Sequence, residues 1–245
     1  MLFPTHGVLP DPVDPRDWEW LASASPTSRT AVMRQFTPPV PNQGRTGSCV
    51  AHAVTSAFEL CRRRDKLGHV NLSAAALWFA TRQRMNPPVS HKDNGTSIWL
   101  ALNTARKLGI IPDFLWPWDA DKLHTNPGPT RMHQAVKLTA HYRVKSTGNE
   151  RVRQIIGALA QGHPVVYSTE VGDVHDDYQR GDVLGHERNV RGRHAEMLYG
   201  YNSVVFEGMG SWGTGWGDQG HYLMDPEVIA SDATTDVHVI VGGLA

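Results

Sequence analysis

The chain has 245 residues, enough for one substantial core or two small lobes, since single cores stop growing at roughly 250–300 residues. Lys+Arg 24 against Asp+Glu 24 leaves no net charge to gather phosphates, so nucleic acid is not an expected partner. A hydrophobic share of 40% and a charged share of 20% are ordinary globular usage, and no apolar run approaches the ~20 residues that span a bilayer, so no membrane partner is expected either.

The opening residues, MLFPTHGVLPDPVDPRD, have no basic start and no apolar segment. No signal peptide is read there, and a cytoplasmic or otherwise non-classical location is expected. Eight of the 16 prolines fall at or before Pro41, mixed with Asp11, Asp14, Asp17, Trp18 and Trp20. Residues 1–41 therefore read as an extended, polyproline-like arm, with its tryptophans as anchors. The spacing of Val50, Val54, Ala57, Phe58 and Cys61 predicts a helix over 48–65. A second helix is predicted over 73–84 with Ser73 as N-cap, and a third over 96–108, capped by Thr96 or Ser97 and stopped by Gly109. A fourth is predicted at about 149–161, closed by Gly162. Short β-type runs follow at 164–169, 194–201, 204–206, 221–224 and 237–241, separated by Gly, Asp and Asn. The fold class is thus α+β, with a helical lobe over 42–128, a β-rich lobe over 129–245 built as a strongly bent antiparallel sheet or barrel, and a cleft between them.

Cys49 and Cys61 are the only two cysteines. If they share the first helix, twelve residues separate them by roughly 18 Å, whereas a disulfide needs Cα atoms within about 7 Å. Both are expected as free thiols, as in a reducing compartment. Cys49 stands at the first turn of its helix, where the positive end of the dipole and unpaired N–H groups favour thiolate. It is a candidate nucleophile, with a buried structural cysteine as the equal alternative from position alone; Cys61, beside Phe58 and Leu60, reads as packing.

The run PVPNQGRTGSCVAHAV resembles the active-site segment of papain-like cysteine peptidases, in which a glutamine lies six residues before the nucleophile. GRHAEMLYGY is similar to the strand that opens with the family's catalytic histidine. GSWGTGWGDQGHYLM is similar to the Gly- and Trp-rich segment after its third catalytic residue, and LPDPVDPRDWEW to the arm of its bacterial and archaeal branches. The resemblance implies a two-lobe papain-like fold and hydrolysis of peptide bonds in peptide or protein substrates, without cofactor. It implies Cys49 as nucleophile, His194 as its acid–base partner and Gln43 as an oxyanion donor. Gly95, Trp212 and Arg193 are implied to face substrate.

One position departs from the pattern. Where the family carries the asparagine that orients the histidine, this chain has Gly210. The chain is then a Cys–His dyad enzyme, an enzyme with a borrowed acceptor, or an inactive peptide-binding or structural module. Amidase or transamidase chemistry on peptide crosslinks is a further alternative, since the same thiol chemistry takes varied acyl groups. Alternation along the strand that opens at His194 puts Glu196 on the same face. Glu196 is the candidate acceptor, filling space left by Gly208 and Gly210 on the neighbouring strand. His175, His186 and His194 follow no zinc spacing, and no metal is expected. His52, three residues beyond Cys49, is expected to point into its lobe.

Overall fold

The computed structural model describes residues 7–15, 17–21, 30–88 and 93–242; the rest of the arm expected over 1–41 lies outside the described residues. The helices fall where periodicity places them. Helix α1 (Cys49–Arg64) is buried continuously from Cys49 to Cys61, because its small and apolar residues let neighbours close on every side. Helices α2 (Ala74–Gln83) and α3 (Ile98–Lys107) pack on it and on each other. Ser73 Oγ accepts the Ala76 N–H at 3.0 Å, and Ser97, rather than Thr96, accepts the Leu100 N–H at 3.2 Å. Each satisfies one of the orphan donors at a helix start.

The β half is one antiparallel sheet. Its strands are β2 (Ala140–Arg143), β3 (Val165–Val171), β4 (Gly192–Tyr201), β5 (Phe206–Met209), β6 (His221–Met224) and β7 (Thr234–Val241). Their order is β2-β7-β3-β4-β5-β6, and β1 (Ala31–Val32) pairs β4 beyond the bulge where β5 shifts register. The sheet is open, with β2 and β6 at its edges, not a closed barrel. Helix α4 (Gly148–Ala160) and the short helices α5 (Asp173–Asp177) and α6 (Pro226–Ala230) border the sheet.

The strand expected at 204–206 begins instead at Phe206 and runs through Gly208 to Met209. Asn202 explains the shift, since its side-chain oxygen accepts the N–H groups of Val204 and Val205 at 3.2 and 3.1 Å and folds the segment into a turn. Helix α1 lies against β4, the ten-residue strand at the middle of the sheet. That contact brings the N-terminus of α1 to the first residues of β4.

The described part of the arm is tied along the body. Trp18 and Trp20 both pack on Tyr142 of β2, at centroid distances of 5.8 Å. The buried Asp11 carboxylate accepts the Trp99 N–H at 2.8 Å, meets His238 Nε2 at 2.7 Å and lies 3.5 Å from Arg143. Upstream of it, Val8 forms a parallel bridge with Thr96, closed by Thr96 N–H to Gly7 O at 3.2 Å and Leu9 N–H to Thr96 O at 2.9 Å. Among the described residues no helix is long and apolar enough to cross a membrane.

Candidate active site

The loop before α1 is held to the β half by backbone. Gln43 N–H donates to Ser211 O at 2.8 Å, Asn42 bridges Trp212, and both Asp93 carboxylate oxygens accept the Gly47 N–H at 2.9 Å. Ser48 occupies the N-cap but pairs its hydroxyl with that of Thr46 at 2.7 Å, so no side chain caps the first turn of α1. The free N–H groups there are left to the first residue, Cys49, whose sulfur also meets the Ala195 N–H. These donors favour the thiolate, yet Cys49 has no exposed surface, and burial, aided by the Glu196 charge, pushes its thiol up to about 12. Among the described residues, Gly7 lies against the sulfur. A Cβ built there would overlap Cys49 Sγ, so only glycine lets the arm lie this close to the sulfur. Cys61, at the other end of α1, is a second free thiol, 3.7 Å from the Ile240 carbonyl.

On β4, His194 and Glu196 share one face and both are buried. The imidazole packs on Trp212 at 4.7 Å, and neither of its nitrogens has a hydrogen-bond partner among the described residues. Burial lowers the His194 pKa to about 4; the Glu196 charge works against that shift, and His175 adds to it. With the arm in place, burial therefore favours neutral thiol and neutral imidazole over the ion pair.

Glu196 lies opposite Tyr167 of β3 and accepts its hydroxyl at 3.0 Å; Tyr167 in turn shares a 2.9 Å bond with Tyr222 of β6. The two glycines of β5 and its exit divide the space differently from the expectation. A Cβ at Gly208 would fall inside the Tyr222 ring, so that gap belongs to tyrosine. Gly210 continues the Met197–Met209 register to a position opposite Glu196, and a Cβ there would stand 3.6 Å from Glu196 Oε1 and 3.4 Å from Trp216. The carboxylate thus lies in the room into which a side chain at 210 would grow.

The rest of the cluster comes from α5 and the loop after it. His175 Nδ1 bonds Glu187, whose carboxylate also accepts the N–H groups of Val174 and His175 at 2.9 and 3.0 Å. The other ring nitrogen, Nε2, faces Glu196 Oε1 at 4.0 Å. Trp216 stacks on His175 with 7° between the rings and donates its Nε1–H to the His175 carbonyl at 2.9 Å.

The remaining sequence candidates separate. Gln43 is buried; its Nε2 donates to Thr46 O at 2.6 Å and its Oε1 accepts the Ser211 hydroxyl, which fixes the carboxamide beside the nucleophile loop. Gly95 gives its carbonyl to Arg82 and precedes Thr96, the residue on which the arm is bridged. His52 points into the helical half against Trp118 at 4.3 Å, and burial lowers its pKa to about 3. Arg193 is not brought to this cluster. It alternates to the other face of β4, where its guanidinium donates to Ser168 Oγ, Ala233 O and Thr235 Oγ1.

A family model described as papain family cysteine protease matches residues 26–239. The chain belongs to that family. Among curated relatives, this papain-family chain is 26% identical over 223 residues to a probable cysteine protease of Arabidopsis thaliana, covering 87% of this chain and 52% of that one. It is 23% identical over 205 residues to a peptidase C1-like protein of Acanthamoeba polyphaga mimivirus, covering 78% of this chain and 65% of the relative. The chain therefore spans between half and two thirds of the length of these relatives. Among solved structures, xylellain, a cysteine protease from Xylella fastidiosa, superposes with a TM-score of 0.86 at 23% identity, covering 99% and 98% of the two chains. Digestive procathepsin L 3 of Tenebrio molitor superposes with a TM-score of 0.74 at 19% identity, covering 96% and 75%. Both share the fold, the two-lobe α+β architecture of the papain family.

Sequence reasoning weighed His175 only as a metal ligand, and missed its place in this papain-family cluster together with Glu187, Tyr167 and Tyr222. Alternation in β3 could have placed Tyr167 across from Glu196 once the register was known. His175 and Glu187 carried no signal, since they come from a short helix and a loop whose path is set by tertiary packing.

Proposed function

We propose that this chain is a peptidase that hydrolyses peptide bonds of peptide or protein substrates through Cys49. The observation that carries this reading is the meeting of the uncapped N-terminus of α1, with Cys49, and the start of β4, with Ala195 against the sulfur and His194 and Glu196 on one face. Substrate enters once residues 7–9 leave the sulfur. Opening admits water and removes the desolvation that keeps the pair neutral, so the thiol proton passes to His194, and the resulting imidazolium gains from the Glu196 carboxylate.

The thiolate attacks the scissile carbonyl carbon, and its oxygen takes the charge. The backbone N–H of Cys49 and the second Nε2 hydrogen of Gln43 stabilise that oxyanion, one such donor being worth about 3 kcal/mol. His194 gives its proton to the amine nitrogen as the C–N bond breaks, leaving a thioester on Cys49. Water then attacks the thioester carbon, loses a proton to His194, and releases the acid and the thiol. Glu196 acts in place of the carboxamide absent at position 210, fixing the imidazole's orientation by its charge. Gly95 and Thr96 offer backbone groups to substrate where the arm now pairs, and Trp212 shields His194 from water.

The test is alkylation of Cys49 by iodoacetamide from pH 4 to 9, alone and with His194→Ala, in the full chain and in Gly7→Leu. Modification of Gly7→Leu at acidic pH that His194→Ala abolishes supports the peptidase. Modification only near the usual thiol pKa of about 8.5, indifferent to His194, overturns it in favour of a peptide-binding module.

A further inference from the structure

Three buried ionisable groups cluster near His194, and two of them, His175 and Glu187, have no role in the chemistry above. His175, Glu187 and Glu196 come from α5, the loop that follows it and β4, and their side chains are 1%, 2% and 1% exposed. Such a cluster is costly unless each charge is answered. Glu187 is answered by two backbone N–H groups and by His175 Nδ1. Glu196 has Tyr167 on Oε2, but its Oε1 has no hydrogen-bond partner among the described residues, and neither has His175 Nε2. These two unpartnered atoms face one another at 4.0 Å, with Trp216 parallel to the imidazole and Glu187 holding its Nδ1.

We propose that His175 is a positioning residue for the peptidase reaction: held by Glu187, it stands as a buried cation that keeps Glu196 ionised and aimed at His194. The inference rests on the reading of Glu196 as the group that orients His194. Charge supports it from both sides. Burial opposes a charge on His175, yet the hydrogen bond to Glu187 and the attraction of the facing Glu196 carboxylate outweigh it and hold the imidazole up at about 9. Burial equally opposes the Glu196 carboxylate, and His175 is the first influence that reverses this, ahead of His194 and Tyr222. The groups facing His175 are Glu187, Glu196 and His194, together with the rings of Trp212 and Trp216; Cys49, Tyr167 and Tyr222 reach it only through Glu196. Farther out, Arg191 answers Asp173 and Asp176 of α5, which leaves His175 as the cation for Glu196.

Without the cation, Glu196 takes up a proton as pH falls and the imidazolium of His194 loses its counter-charge. The loss is therefore pH-dependent, which a packing defect would not be. The experiment is the rate of Cys49 alkylation by iodoacetamide from pH 4 to 9 in the full chain, for wild type, His175→Gln, Glu196→Gln and the double variant. Each rate is divided by that of the same protein carrying His194→Ala, which cancels the fraction of molecules with the arm displaced. His175→Gln is expected to be at least about tenfold slower near pH 5 and to recover towards wild type by pH 8, its acid limb displaced upward by about one pH unit. The double variant is expected to be no slower than Glu196→Gln. Glu187→Gln, which removes the charge but keeps one acceptor oxygen for the His175 N–H and imidazole, is expected to show a smaller displacement in the same direction and serves if His175→Gln does not fold. A Glu196→Gln protein with wild-type rates overturns the reading of Glu196. A slow Glu196→Gln beside a His175→Gln protein that is unchanged, slowed equally at all pH values, or additive with Glu196→Gln overturns the role of His175 alone.

Discussion

Gly7 lies on Cys49 so closely that a single added carbon at position 7 would overlap the sulfur. The arm is fastened there by two backbone hydrogen bonds to Thr96 and, four residues on, by the buried Asp11 carboxylate. In Gly7→Leu the side chain and the sulfur cannot both occupy that space, and the arm must lift. Because modification tracks the population of the open form when opening is fast, a destabilisation of ~1.4 kcal/mol gives tenfold. We expect Cys49 alkylation to rise by about tenfold or more, with the melting temperature nearly unchanged, as read by mass spectrometry and calorimetry. Equal rates would mean that the arm does not limit access.

Glu196 and Gly210 face one another across β4 and the exit of β5, and their side-chain volumes trade. Glu196→Gln removes the charge beside His194 and is expected to lower turnover of a fluorogenic peptide by roughly 10²-fold, within the usual range for a positioned proton-transfer site. Gly210→Asn alone crowds Glu196 and Trp216 and should also lose activity. Glu196→Ala with Gly210→Asn should regain part of it, because the carboxamide then has the vacated room. A double variant no better than Glu196→Ala would show that the two positions do not substitute for one another.

Stability should fall on both sides of neutrality, for different residues. His52 and His141 have pKa values lowered to about 3, and His194 and His221 to about 4, each by burial first. A histidine of lowered folded pKa is protonated preferentially in the unfolded chain, so its contribution is lost as pH drops from about 6.5 towards those values. His175 is the reverse: raised to about 9, it contributes fully below about 6.5 and loses that contribution as pH climbs through 9. Thermal unfolding followed by circular dichroism should show a descending limb between pH 6.5 and 9 in wild type. The limb should be missing in His175→Gln, and its persistence there would assign it elsewhere.

The two thiols should part cleanly. Cys61 is buried against Ile240 with its pKa pushed up to about 12 by burial, and no arm movement uncovers it. Cys61→Ala should cost about 1–2 kcal/mol in a denaturant titration and leave alkylation stoichiometry and peptide turnover unchanged. Cys49→Ser should abolish turnover while leaving stability near wild type.

The four long helices were legible in the sequence because their periodicity and their caps agree, as at Ser73 and Ser97. Motif resemblance singled out Cys49, His194 and Gln43, and alternation put Glu196 on the His194 face of β4, where the structure has it. The partner of Glu196 was not. The pattern of two glycines suggested one cavity for one carboxylate, but Tyr222 from a third strand takes the Gly208 side, and a sequence carries no record of which strands become neighbours. Arg193 parts from His194 for a related reason: adjacency along a strand places its side chain on the opposite face, where it bonds Ser168, Ala233 and Thr235. Asn202 illustrates a local competitor, since its side chain caps a turn where β-branched valines alone suggested a strand.

The strand that carries His194 is central to the sheet and bonded along its length by β3, β5 and β1, whereas the described residues covering Cys49 are held by a bridge at Thr96 and, four residues on, by the Asp11 carboxylate. In amide hydrogen exchange these would sit at opposite ends of one scale. The β4 amides that donate within the sheet should exchange only by global unfolding, and the Leu9 and Thr96 amides by a local opening far cheaper in free energy. The histidine side of the site is thus a fixed wall, and every slow rearrangement on the way to a reactive thiol belongs to the other side.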